Sequence, residues 1–399
     1  MKSLVYRYNS ICEPDYIEAL RNIGLEVIEV RNEMDNKAIP LDEKTSILAE
    51  KILAERPLFV FSINYFPFIA LICERLKILY VCVSVDCPVV ELFSNTITSP
   101  YNRVFLFDRQ QYNEIHPFNP ECIFYLPLGV NAERINKTIG TPIWKGNERN
   151  IGYKYDVSFI GSLYNEKDAY ADVADKLPLR ERGYIDGLIA AQLMLPGQAL
   201  LEECVTDKVI SVLKSTDKDF YPSDVNVVNT DGFVAVNNYL SYHITFLDRV
   251  RFLNTVGGIS DLHFFTRSDT KLLRNVNCHG GVSSLKEMPM VFRQSKININ
   301  TTMRAIRTGM PQRIWDVLGS GGFLLSNYQA DMEGELIPGK HLAAYENEYE
   351  ACELISYYLS HDDEREEIAE AGYRFVLERA QVINRVTEMI RIVLTTLEK

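Results

Sequence analysis

Six apolar runs of strand length crowd the first third of the chain: LVYRY, EVIEV, LFVFSI, ILYVCVSV, RVFLFD and CIFYLPLG. Such near-continuous Val, Ile, Leu and Phe content is what a strand covered on both faces requires, because a half-exposed strand alternates apolar and polar residues. Helical segments lie between the early runs. PDYIEALRNIG places Pro14, whose fixed φ suits a first turn, at one end and Gly24 at the other. LDEKTSILAEKILAER sets Ile47, Leu48, Lys51, Ile52 and Leu53 in a helical pattern. Strands that alternate with helices predict a parallel sheet covered on both faces, a Rossmann-like α/β unit ending near residue 145.

The polar, turn-rich stretch TPIWKGNERNIGYKYD reads as a linker, and DVSFIGS opens a second alternation. Residues 166–225 interrupt it with helical patterning (LPLRERGYIDGLIAAQLML and LLEECVTDKVISVLKS), which predicts a helical insertion after the first strand of the second domain. The alternation resumes with a helix at NNYLSYHITFLDRVRFLNTV, a strand at LHFFT, a helix at EMPMVFRQS and a strand at KININTT. GMPQRIWDVLGSGG and the strand FLLSN follow, and helices from Tyr349 close the chain. The expected organisation is two Rossmann-like domains, 1–145 and 146–399, facing each other across a cleft. Open α/β sheets bind ligands beyond the carboxyl ends of their strands, where the strand order reverses. Such a cleft suits an enzyme that joins two substrates, or a binding protein that closes on one.

With 399 residues the chain exceeds one ordinary core, in keeping with two domains. Lys and Arg number 42 against 54 Asp and Glu, a net charge of −12, and no long basic block offsets it. A nucleic-acid partner is therefore not expected. The eight cysteines form no C-x-x-C pair, and those in VCVSVDC and LIC read as small buried hydrophobes. No signal-peptide pattern precedes LVYRY, and PLFVFSINYFPFIALIC is broken by Asn64 and by proline. The expectation is a cytoplasmic protein with no membrane span, at most in peripheral contact with a membrane.

The dinucleotide fingerprint G-x-G-x-x-G follows neither first strand, and Walker A, H-E-x-x-H and G-x-S-x-G patterns are absent. Neither a redox cofactor nor a metal is expected. FIGSLYNEK offers an anion site instead: Gly161 and Ser162 end a strand with free N–H groups, and Lys167 follows. Arg293, Lys296, Arg304, Arg307 and Arg313 lie within 21 residues of an otherwise acidic chain, and guanidinium forks match phosphate oxygens. Asp316, one helical turn past Arg313, could accept both hydroxyls of a ribose or simply pair with Arg313 at i, i+3. Gly321 and Gly322 end that helix. In the N-terminal half Glu13 and Asp86 each follow a strand, and either could deprotonate a hydroxyl or serve as a helix cap.

The run from SKININTTMRAIRTGMPQRIWDVLGSGGFLLSNY through EIAEAG resembles the C-terminal half of bacterial GT-B glycosyltransferases, in the subgroup that includes spore-maturation protein B-like proteins. VYRYNSICEPD, VDCPVVEL, YNRVFLFDRQQY and DVSFIGSLYN are similar to that subgroup as well. The resemblance implies a nucleotide-sugar on the C-terminal domain and an acceptor on the N-terminal one. It implies that Asp316, five residues before Gly321, holds the donor ribose. The acidic residue that related enzymes carry eight positions earlier is here Thr308. Where many relatives have Gly-Arg-Leu followed by Glu-Lys, this chain has Gly161-Ser162-Leu163 and Glu166-Lys167. The positive charge lost at Ser162 is assigned to Arg304 or Arg313.

The expected activity is metal-independent transfer of a sugar from a nucleotide-sugar, a UDP-sugar favoured, to a hydroxyl of a glycan or protein acceptor. Gly161, Ser162, Lys167, Arg304, Arg313, Asp316, Gly321 and Gly322 would form the donor site. Glu13 or Asp86 would be the base of an inverting reaction, and a retaining one would need none. Family analogy points to a bacterial cell-surface glycan. Two other readings remain: a two-domain small-molecule binding protein, and a transferase-like scaffold that has lost catalysis, which the departure at Thr308 keeps open.

Overall fold

A computed structural model describes residues 1–140, 152–195, 200–221 and 230–397, together with two short strands at 144–145 and 148–149. Strands β1 (Lys2–Tyr6), β2 (Glu26–Val30), β3 (Phe59–Ile63), β4 (Leu79–Ser84), β5 (Asn102–Leu106) and β6 (Ile123–Tyr125) form a parallel sheet in the order β2-β1-β3-β4-β5-β6. Every residue of β3, β4 and β5 is buried, which accounts for their unbroken apolar sequence. The apolar stretch after Pro57 divides as its sequence implies. β3 ends, Asn64 turns the chain with φ of 59°, and the helix Pro67–Leu76 follows. Among the described residues no helix is long and apolar enough to cross a membrane.

The antiparallel pair β7 (Trp144–Lys145) and β8 (Glu148–Arg149) lies where a linker was expected, and the rest of 141–151 falls outside the described residues. A second parallel sheet follows. It comprises β9 (Tyr155–Ile160), β10 (Leu262–Phe265), β11 (Asn277–His279), β12 (Ser295–Asn300), β13 (Leu324–Asn327) and β14 (Ala343–Tyr345), in the order β11-β10-β9-β12-β13-β14. Winding reverses between β1 and β3 in the first sheet and between β9 and β12 in the second. These two places are where ligands are expected to bind. β11 carried no sequence signal, because its three residues are all exposed and none belongs to an apolar run.

The helical insertion after β9 has a core of its own. Ile185 and Ile189 of the helix Leu179–Met194 meet Val209 and Leu213 of the helix Asp207–Thr216. Val234, Leu240 and Ile244 join the same cluster, so the insertion packs as one body with the helical stretch beyond residue 230. Residues 196–199 and 222–229, within and just after the expected insertion, lie outside the described residues. From Ala235 to Ser241 that stretch takes the wider π-helical turn before becoming the α-helix Tyr242–Gly257.

A clasp joins the two halves. Asp108, just past β5, is fully buried. Its Oδ2 accepts from the backbone N–H groups of Arg307 (3.1 Å), Thr308 (2.9 Å) and Gly309 (2.7 Å), and its Oδ1 accepts from Gln111 N–H (2.7 Å). The reciprocal contact comes from Asp331, whose carboxylate accepts from Arg109 N–H at 2.9 Å. Gly309 permits the approach, since a Cβ there would stand 2.8 Å from the Asp108 Cα. The last helix, Val382–Thr395, returns to the first sheet and packs on the helix Glu13–Asn22. Arg103 Nε donates to Thr396 Oγ1 at 2.6 Å across that junction.

Candidate active site

Where the two sheets face each other, the carboxyl ends of β1, β3 and β4 oppose the loop after β9. They enclose a cleft of about 450 Å³ lined by Tyr8, Asn64, Asp86 and Glu91 on one side and by Tyr164, Lys167, Tyr242 and Met303 on the other. The cleft is the meeting of both reversal points.

Asp86 is exposed at the end of β4 and is held by Asn64, whose Nδ2 donates to Asp86 Oδ2 (2.6 Å) and to Tyr8 Oη (2.9 Å). Asn64 Oδ1 in turn accepts from Val85 N–H at 2.9 Å, so one amide fixes the whole β3–β4 rim. The left-handed backbone at Asn64 is one that Asn tolerates better than most residues. Glu91 stands in the same wall, and burial, with a smaller contribution from Asp86, pushes its carboxyl above the usual glutamate range. Tyr242 is pushed up to about 12, chiefly by burial, and stays a neutral phenol able to donate.

Glu13 takes the other role open to it. Only 1% exposed, it accepts from Tyr8 N–H (2.8 Å) and Ser10 N–H (3.1 Å) with Oε1, and from Arg7 Nε (3.0 Å) with Oε2. Both oxygens of its carboxylate are engaged in shaping the β1 loop, an arrangement that suits a loop clamp. Glu13→Gln is expected to cost about 1–3 kcal/mol of stability, because an amide NH2 would face one of these donors. Turnover per folded molecule should change less than threefold. A rate loss matching that of an Asp86 variant would restore Glu13 as the base.

On the second domain, Ser162 and Lys167 lie in and just after the loop that follows β9. Ser162 Oγ accepts from Tyr164 N–H at 2.7 Å and donates to Glu166. Lys167 is exposed into the cleft, its Nζ 5.9 Å from the Tyr164 ring and 5.6 Å from the Tyr242 ring. Among the described residues it makes no ion pair. Gly161 lies over Phe159, whose ring would be 3.2 Å from an added Cβ.

The two arginines expected to replace the charge missing at Ser162 are turned elsewhere. Arg304 pairs with Asp248 at 2.8 Å. Arg313 lies 3.7 Å from Asp316 across one helical turn and packs on Met288 and Phe292. The residue the sequence did not single out is Arg249, on the helix Tyr242–Gly257. It is buried and donates to Ser162 O and, at 2.5 Å, to Thr301 O, tying together the loops after β9 and β12. No carboxylate pairs with it among the described residues, and burial pulls its pKa below the usual guanidinium value. An unneutralised cation thus stands at the second reversal point. Its sequence context, DRVR in an amphipathic helix, looks like an ordinary solvated face.

Asp316 lines a small pocket with Cys12, Asp15, Arg134 and Gln312, distinct in its lining from the main cleft. It accepts from Gln312 Nε2 at 3.1 Å, and burial raises its pKa above the usual aspartate value. Gly321 and Gly322 act on the backbone. Gly321 has φ of 71° and ends the helix Gln312–Gly319, and a Cβ on Gly322 would meet Asn298 Nδ2 at 2.6 Å. Thr308 is held in the clasp, its Oγ1 accepting from Gln110 N–H at 3.1 Å. Among the described residues no three His, Cys, Asp or Glu side chains converge so as to hold a metal ion.

The arrangement is that of the GT-B fold: two facing parallel α/β sheets, a cleft between their strand ends, and a last helix that crosses back. Residues 249–391, which carry Arg249, Arg313, Asp316 and both glycines, match the model of a family described as glycosyl transferase-like. Similar solved structures cover nearly the whole chain. A glycosyltransferase from Rickettsia africae ESF-5 aligns with TM-score 0.51 and 13% identity over 100% of this chain and 99% of that one. Anabaena Alr3699/HepE in complex with UDP and glucose gives 0.51 and 10% over 99% and 100%. T4 phage BGT in complex with its UDP-glucose substrate gives 0.51 and 9% over 100% of both chains. No curated protein sequence matches the chain.

Proposed function

We propose that the protein is a glycosyltransferase that moves a sugar from a UDP-sugar to a hydroxyl of a glycan or protein acceptor. The observation that carries this reading is the juxtaposition, in one cleft, of a fixed carboxylate (Asp86) with Lys167, backed by the uncompensated Arg249, which lies behind the cleft wall 4.8 Å from the Tyr164 ring. The two similar structures solved with UDP and glucose or with UDP-glucose support a uridine donor. The diphosphate would lie at the ends of β9 and β12, its charge balanced by Lys167 and Arg249 without a metal. Stabilising the departing diphosphate would be the main catalytic contribution. Asp316 would accept the ribose hydroxyls, and Asp86 would take the acceptor proton as the new glycosidic bond forms. The resemblance to the spore-maturation protein B-like subgroup points to a bacterial surface glycan as acceptor.

Calorimetric titration with UDP, GDP, dTDP and CMP in metal-free buffer tests the donor site. UDP is expected to bind saturably, and Asp316→Ala to weaken it at least tenfold. The sign of the pH dependence follows from the raised pKa of Asp316. Its carboxylate is fully ionised, and accepts the ribose hydroxyls, only above that raised value, so UDP affinity should fall as pH drops through it. Affinity that is flat with pH, or unaltered in Asp316→Ala, would remove Asp316 from the donor site. Absence of binding by all four nucleotides would favour the binding-protein or scaffold readings.

A further inference from the structure

A second cavity opens beside the cleft and shares Cys87, Pro88 and Phe233 with it. It lies between the first domain and the helical insertion, and Phe93, Val205, Phe233, Val236 and Ala305 give it an apolar wall. The Phe93 and Phe233 rings, one from each body, meet at 5.1 Å. Its volume is about 180 Å³, and an apolar protein cavity of about 150 Å³ accommodates one benzene. The space is therefore that of a single ring.

One polar side chain in this wall stands out. Gln111 is 5% exposed, and among the described residues neither its Nε2 nor its Oε1 has a hydrogen-bond partner. Its backbone is fixed by the bond from its N–H to Asp108, so the residue cannot withdraw from the wall. A buried amide left unpaired at both ends is costly, and it is complementary to a ligand that both donates and accepts. The mouth is bridged by Arg307, which pairs with Glu202 of the insertion at 2.6 Å and lies 3.8 Å from Glu114. The Asp108 carboxylate, which also lines the cavity, is engaged by the backbone N–H groups of the clasp.

We infer that this cavity is a subsite for a ring-sized apolar group bearing an amide, paired with Gln111, and that it receives the non-reacting end of the acceptor. The acceptor assignment rests on the transferase reading, since the cavity joins the cleft beside Asp86. The insertion, which supplies Val205, and the helical stretch packed on it, which supplies Phe233 and Val236, are then determinants of acceptor choice.

Benzamide, with toluene as the ring lacking an amide, tests the site by saturation-transfer NMR on the full-length protein. Benzamide is expected to bind saturably below about 10 mM. Gln111→Leu should weaken benzamide at least tenfold while leaving toluene unaffected. Val205→Phe should fill the cavity and abolish binding of both. UDP titration of each variant reports that the fold and donor site are intact, and it separates failure here from failure of the transferase reading. No saturable benzamide binding, or binding indifferent to both substitutions, overturns the site and leaves solvent as the partner of Gln111. For the acceptor role, 4-acetamidophenyl β-D-glucoside should bind the UDP-loaded protein at least tenfold more tightly than methyl β-D-glucoside. Equal affinity, with benzamide binding retained, overturns that role alone.

Discussion

Asp86→Asn is expected to lower the turnover of sugar transfer by about 10²–10⁴-fold, the usual contribution of a positioned general base, with UDP affinity unchanged. Asn64 holds Oδ2 of Asp86 at 2.6 Å and leaves the other oxygen for the acceptor hydroxyl. An asparagine keeps the shape and most of the hydrogen bonding of the rim but cannot take a proton. UDP release measured with saturating donor and acceptor decides the matter. A variant within threefold of the parent enzyme would remove Asp86 as base and favour a retaining mechanism, in which none is required. Asn64→Ala should reproduce part of the same loss, because the carboxylate would then swing free at the end of β4.

The second large effect is on stability. Asp108→Ala leaves the N–H groups of Arg307, Thr308, Gly309 and Gln111 without their acceptor. Each buried donor left unpaired costs about 1–3 kcal/mol, and with partial relaxation of the loop the total should come to about 3–5 kcal/mol. Asp108→Asn should recover little of this, since its amide NH2 would face donors on one side. The expected result is an earlier denaturant midpoint together with faster amide exchange at 307–309. A shift below about 1 kcal/mol would mean that the two halves are held chiefly by the apolar junction around Trp315 and the last helix. That junction is substantial, because Trp315, Val130, Val386 and Met389 lie buried in one cluster that spans both domains.

The architecture was legible because the strands are buried on both faces. LFVFSI, ILYVCVSV and RVFLFD had to be continuous in apolar residues, and helices had to separate them, so a doubly covered parallel sheet followed. The second sheet announced itself through DVSFIGS and KININTT for the same reason. β11 did not, being three exposed residues at an edge. Of the candidate site, Lys167 and Asp86 were singled out by their position after strands, and both line the cleft. Glu13 had the same signature, and position alone could not tell a carboxylate facing solvent from one folded back on Tyr8, Ser10 and Arg7. Arg249 carried no signature at all, because what distinguishes it is the carbonyls it meets on two distant loops.

Sequence by itself determined the local and periodic properties of this protein. These are which segments are strands and helices, that the strands run parallel, that two such units follow one another, and that a helix ending at Gly321 carries Arg313 and Asp316. Each depends on residues a few positions apart. Tertiary structure alone decided which charges remain uncompensated, which carboxylate faces the cleft, and where an unpaired amide borders a cavity. Those properties depend on pairs such as Asp108 with Gly309, Arg304 with Asp248 and Arg249 with Ser162. Their partners lie far apart in the chain, and tertiary packing, between the two halves for Asp108 and within the second half for the other two, brings them within hydrogen-bond reach.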